Sequence, residues 1–136
     1  MFLEDLEIGQ SDSFQKTVTE SDVYSFAGIT GDMNPFHINE EFCKTTKFGK
    51  RLIHGALLNG MVSAVLGMKL PGPGTIFVRQ EIKFLAPAFI GDTIKATVTV
   101  ANITEKRVFL KFDCTNQDGV VVCEGESEVS VPRKKK

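Results

Sequence analysis

The stretch "HGALLNGMVSAVLGMKL", residues 54–70, is apolar or small on nearly every face from Ala56 to Leu70. A surface helix would show a charged side, so a helix lacking one is expected to be buried on most sides by other elements. Gly55, Gly60, Ser63, Ala64 and Gly67 lower its helix propensity. That composition fits a helix closely wrapped by a sheet.

The wrapping sheet is read from the second half of the chain. "TIFVRQEIKFLAP" (75–87), "DTIKATVTVANIT" (92–104), "RVFLKFDCTN" (107–116) and "VVVCEGESEVSV" (120–131) are strand-like runs separated by the turn signals "AFIGD", "EK" and "QDG". Alternation in "IKATVTV" and "VFLKFDC" is that of strands with one buried face. The loop "PGPGT" (71–75) is no phosphate cradle, because no Gly-Lys-Ser/Thr and helix follow it.

Upstream, "SFQKTVT" (13–19) reads as a short strand. Thr19 and Asp22 then form a capping box, Val23, Phe26 and Ala27 give an apolar stripe, and Gly28 and Gly31 end the helix. Asn39 caps a second short helix in "EEFCKTTKFG" (40–49). Strand, helices, central helix and four long antiparallel strands make an α+β hot-dog fold: a curved antiparallel sheet of about five strands wrapped around a central buried helix. Such a unit leaves a sheet edge and part of the helix uncovered, and dimerisation through that edge is the expected remedy.

Composition narrows the function. The 136 residues read as one domain, residues 1–136, with the basic "RKKK" (133–136) as a disordered tail. With 16 basic against 17 acidic residues the net charge is −1, so no global field attracts nucleic acid. The N-terminus has acidic residues where a signal peptide needs basic ones, and no run reaches the roughly 20 apolar residues of a membrane span. A cytoplasmic protein with no membrane partner is expected. Cys43, Cys114 and Cys123 lack the paired spacing of zinc sites and read as free thiols; Cys114 and Cys123 flank "NQDG", which admits a pair across a hairpin, but the plainer reading has both filling apolar faces.

"GITGDMNPFH" (28–37) holds the residues for chemistry. On one helix Asp32 and His37 would lie roughly 140° apart, and Pro35 argues against a helix there. A bend is expected, bringing the two side chains together across a cleft. The same residues also admit a plain turn whose side chains satisfy the backbone, and Asp32, His37 and His54 admit a metal triad.

"FAGITGDMNPFHINEEF" (26–42), "RLIHGALLNGMVSAVLG" (51–67) and the four long strands resemble the MaoC-type, (R)-specific enoyl-CoA hydratase (hydratase 2) family over essentially the whole chain. Phe36, where the family favours an aliphatic residue, and Cys43, where it favours Ala or Ser, depart from its pattern, and Phe36 is placed to narrow the pocket. The resemblance implies a hydro-lyase acting without cofactor or metal, hydrating trans-2-enoyl-CoA to (R)-3-hydroxyacyl-CoA or running the reverse. Acyl-carrier-protein thioesters are the other possible substrates, and fatty-acid metabolism and polyhydroxyalkanoate precursor supply the setting. It assigns the reacting water to Asp32 and His37, the thioester carbonyl to the Gly55 amide, and the acyl pocket to Ser63 and Leu66. Asn34 fixes the bend beside the substrate. His54 reads as structural, and Lys47, Lys50, Arg51, Arg79 and Lys83 read each as a solvated surface charge, with CoA phosphates as the alternative partner. A non-catalytic thioester-binding subunit and an acyl-CoA thioesterase are the competing functions on the same scaffold.

Overall fold

The computed structural model describes residues 1–135. Its elements are β1 (Ser11–Thr17), α1 (Glu20–Thr30), α2 (Pro35–Ile38), α3 (Glu40–Lys44), α4 (Gly55–Met68), β2 (Ile76–Phe84), β3 (Thr93–Ile103), β4 (Val108–Thr115) and β5 (Val121–Ser130), after a 3-10 turn at Leu3–Asp5. The strands form one antiparallel sheet in the order β1-β3-β4-β5-β2. This is the hot-dog arrangement the sequence predicts. β1 and β2 are its free edges.

The alternation in β3 and β4 does what period two requires. Ile94, Ala96, Val98 and Val100 of β3, and Val108, Leu110, Phe112 and Cys114 of β4, turn inward and are buried. They meet Leu58, Met61, Val62, Val65 and Leu66 of α4 in one continuous core. The enclosure of α4 is incomplete, because Ala56, Gly60, Ala64 and Met68 remain exposed on one stripe. Gly60 and Gly67 have no atom within 4 Å of where a Cβ would stand, so close wrapping by the sheet does not explain them. Close approach does govern Gly125: a Cβ there would collide with the Glu81 carbonyl oxygen and come within 2.8 Å of the Phe112 ring.

Local signals hold in part. Thr19 Oγ1 accepts from the Asp22 N–H and the Asp22 carboxylate accepts from the Thr19 N–H, at 3.1 and 2.9 Å. α1 runs through Gly28 and stops at Gly31, whose φ of 82° is the left-handed cap glycine supplies. Pro35 does not exclude a helix; it starts one. It occupies the first position of α2, where a missing N–H costs nothing, and Asn34 Oδ1 caps the turn by accepting from the Phe36 N–H at 3.1 Å.

Cys114 and Cys123 stand opposite each other on β4 and β5, both buried and free. The hydrogen bond to Cys123, then burial, pushes the Cys114 thiol up. The ends of the described chain lie side by side: the Leu3 N–H donates to the Pro132 carbonyl at 2.9 Å, and Lys134 pairs with Asp5 at 2.8 Å. Lys136, the end of the tail read as disordered, lies outside the described residues.

Gly125→Ala should destabilise the protein by about 3 kcal/mol, as overpacking against an immovable backbone does. Urea unfolding followed by circular dichroism measures this, and a shift under about 0.5 kcal/mol would contradict the packing described.

Candidate active site

Four segments converge at one end of α4: the loop after α1, α2, the segment 51–53 and the helix start itself. The bend works as expected. Donor atoms of Asp32, His37 and His54 all lie within 4.8 Å of one another. Asp32 is exposed in the loop, and its Oδ1 accepts from the Asn34 N–H at 3.3 Å.

The histidine tautomers follow from their partners. His37 Nδ1 sits 2.8 Å from the Leu52 carbonyl oxygen, which only accepts, so Nδ1 carries the proton and Nε2 is left with its lone pair. His54 Nε2–H donates to the Asp32 backbone carbonyl at 3.0 Å by the same logic. Its Nδ1 is buried without a partner. Burial, and secondarily the neighbouring His37, hold His54 below its ordinary 6.5, while the bond to Asp32 acts in the opposite direction.

The two imidazoles stack with centroids 3.8 Å apart and planes inclined by 25°, and Phe26 lies against His54 at 4.8 Å. This argues against the metal triad. Imidazole binds an ion in its own plane at roughly 2.0–2.1 Å, and rings stacked this nearly face to face do not share such a point.

Gly55 begins α4, and no described residue accepts from its N–H or from that of Ala56, whereas those of Leu57 and Leu58 bond to the His54 carbonyl. Two free amides at the positive end of a helix of 14 residues form an anion-friendly corner. Glycine is required here for a reason local sequence does not reveal. A Cβ on Gly55 would stand 2.7 Å from the Phe84 ring, so the space beside its Cα is filled by a side chain from the end of β2.

The remaining residues divide. Asn34 commits its Oδ1 to capping α2. Ser63 is half-buried, while Leu66 is packed into the core at 1% exposure. Phe36 turns into an aromatic cluster, its ring edge-on to Phe42 at 5.2 Å and Phe48 at 5.9 Å. The Cys43 thiol donates to the Phe36 carbonyl at 3.3 Å. Arg51 is tied to Glu20 at 2.9 Å and to the Tyr24 hydroxyl at 2.8 Å, and Arg79 to Glu81 at 3.0 Å. Lys50 lies over the Phe89 ring at 4.3 Å.

The family model for the MaoC like domain matches residues 5–121. The chain belongs to the MaoC-like family. It is 50% identical over 134 residues to an "(R)-specific enoyl-CoA hydratase" of Rhodospirillum rubrum, covering 98% of this chain and 93% of the relative. A "3-hydroxybutyryl-CoA dehydratase" of Methylorubrum extorquens is 44% identical, over 98% of this chain and 86% of that one. Among solved structures, the (R)-hydratase from A. caviae involved in PHA biosynthesis superposes with a TM-score of 0.92 at 35% identity, covering 95% of this chain and 99% of that one. Within this MaoC-like chain, no helix among the described residues is long and apolar enough to cross a membrane.

The depressed His54 titration has a sign in stability. Between the folded value and the ordinary 6.5 of the unfolded chain, the unfolded state binds the extra proton. Stability contributed by neutral His54 is therefore present above about pH 6.5 and is lost as pH falls through the lowered folded value. His54→Gln, which keeps an N–H donor for Asp32, should flatten that part of the curve of urea midpoint against pH. Parallel curves for the two proteins would contradict the assignment.

Proposed function

We propose that this protein is an (R)-specific enoyl-CoA hydratase, catalysing reversible hydration of trans-2-enoyl thioesters to (R)-3-hydroxyacyl thioesters. The observation that carries the reading is the meeting of the Asp32 carboxylate and the His37 imidazole, its Nδ1–H fixed on Leu52, beside the free amides of α4. An enoyl thioester is polarised when its carbonyl oxygen accepts a hydrogen bond, which the Gly55 N–H supplies as negative charge develops there. C3 then accepts a hydroxyl. A water held between Asp32 and His37 Nε2 gives its oxygen and one hydrogen to C3, while its other proton passes to the pair and is delivered to C2. One water is consumed, the double bond becomes single, and both side chains return to their starting protonation. A water held on one side of the planar enoyl group sets the configuration at C3.

A thioester-binding subunit without activity has no use for two titratable side chains poised on one water, and a thioesterase directs water to C1. Both are ranked below the hydratase for those reasons. The acyl carrier is CoA by the names of the two relatives, with acyl-carrier-protein thioesters as the alternative. Polyhydroxyalkanoate precursor supply and a cytoplasmic location belong to the same reading.

We further propose a homodimer. β2 is an unpaired edge on which Ile76, Phe77, Val78 and Phe84 are exposed, followed by exposed Leu85. Together with the bare stripe on α4 ending in Met68, this is apolar surface that a second copy would cover.

Purified protein incubated with crotonyl-CoA should yield 3-hydroxybutyryl-CoA of R configuration on chiral analysis; absence of product, or S product, would overturn the hydratase reading. Asp32→Asn and His37→Gln should each lower kcat by at least about 10², with the fold intact by circular dichroism. Sedimentation should give a dimer burying on the order of 2,000 Å², and a fully active monomer at low concentration would refute that part.

A further inference from the structure

Between Ala56 and Met68, α4 carries two polar side chains, Asn59 and Ser63. Both follow Gly55 at intervals of four residues, so they occupy its flank about 6 and 12 Å further along the axis, drifting only about 40° per step. Gly55 faces the Phe84 ring at the end of β2. That contact fixes which side of the helix the flank lies on. It is the border between the core face, where Val62 and Leu66 are fully buried, and the bare stripe of Ala56, Gly60 and Ala64.

Asn59 is unusual in this position. It is half-buried, its Oδ1 is inaccessible, and nothing bonds to that atom. Nor does the rest of its amide hydrogen-bond to a described residue. Asparagine is a poorer helix former than the alanine or leucine around it, and an unpaired buried polar atom is a cost that folding does not explain. The amide has no visible role in the architecture of the chain. It stands one turn beyond the amide that receives the thioester carbonyl.

We infer that Asn59 is a specificity-determining residue that limits the acyl group to short chains. The inference rests on the hydratase reading, which places the carbonyl at Gly55, with the acyl chain running from there along this flank toward Ser63, where the family resemblance puts the acyl pocket. A short acyl group ends before the Asn59 amide and leaves its open side to water. A longer alkyl chain must pass over the amide, removing that water and offering no hydrogen bond in return. The preferred substrate class is thus short, unbranched enoyl thioesters.

The test compares kcat/KM for crotonyl-CoA and trans-2-octenoyl-CoA in the unmodified protein, Asn59→Leu and Asn59→Ala, with assembly followed by sedimentation. Leucine keeps the size and removes the amide, whereas alanine also opens space. The unmodified protein should favour crotonyl-CoA, and both variants should raise the octenoyl-to-crotonyl ratio by about tenfold or more. A ratio within about twofold of the unmodified value in the leucine variant overturns the inference, even if alanine shifts it, because size alone would then decide. Loss of the assembly state in either variant overturns it too, since the amide would then serve a subunit contact. If the unmodified protein hydrates neither substrate, the hydratase reading fails and takes this inference with it; an active protein with an unmoved ratio sinks the inference alone.

Discussion

The hydrogen bond from His54 to the backbone carbonyl of Asp32, 3.0 Å long, joins the helix at the centre of the fold to the loop that carries the acid. The same ring stacks on His37 at 3.8 Å. One buried side chain therefore holds both the Asp32 backbone and the His37 ring, the two residues proposed to act on the water, and it does so from the position just before Gly55. Neutrality is part of the arrangement. A charged His54 would face an imidazole across a stack and lack a partner for Nδ1, so burial keeps the ring in the form whose only committed proton is the one given to Asp32. This end of α4 is held together by a residue to which the proposed reaction assigns no proton transfer.

The sheet serves that end from a distance. Phe84 closes β2 and lies on Gly55, so the edge strand and the helix start are in register through one ring on one α-carbon. The register of β2 is set against β5, where Gly125 lets the Glu81 carbonyl approach. A shift of β2 by one residue would withdraw Phe84 from Gly55 and turn its inward residues outward. Sheet pairing and site geometry are thereby coupled, though no strand supplies Asp32, His37 or Gly55.

Much of this was legible in the chain. Alternation in β3 and β4 and the uncharged central helix specified the layers, because burial on one face or on most faces leaves a pattern in single residues. Asp32 and His37 could be paired from their spacing around Asn34-Pro35, since a cap and a proline dictate backbone direction locally. Pro35 starts a helix where the motif alone suggests a bend, because proline's prohibition applies inside a helix and lapses at its first turn. Contacts between distant segments left no such trace. Nothing near Gly55 announces Phe84, and nothing near Arg51 announces Glu20 and Tyr24, which take up its charge. Gly60 and Gly67 misled in the other direction, since small residues mark close approach only when something approaches.

The meeting of the two ends at Leu3 and Pro132 has a topological consequence. A chain whose ends touch is almost a closed ring, and its order of elements is then a matter of where the ring is opened. Linking the ends and cutting instead at the exposed turn around Asp118 and Gly119 would begin the chain at β5 and finish it at β4, with every strand keeping its neighbours. The segment from Thr19 to Leu70, which holds the acid, both imidazoles and the helix, would run uninterrupted through such a permuted protein. The site is a contiguous cassette, and the sheet is a frame indifferent to where its strand order begins.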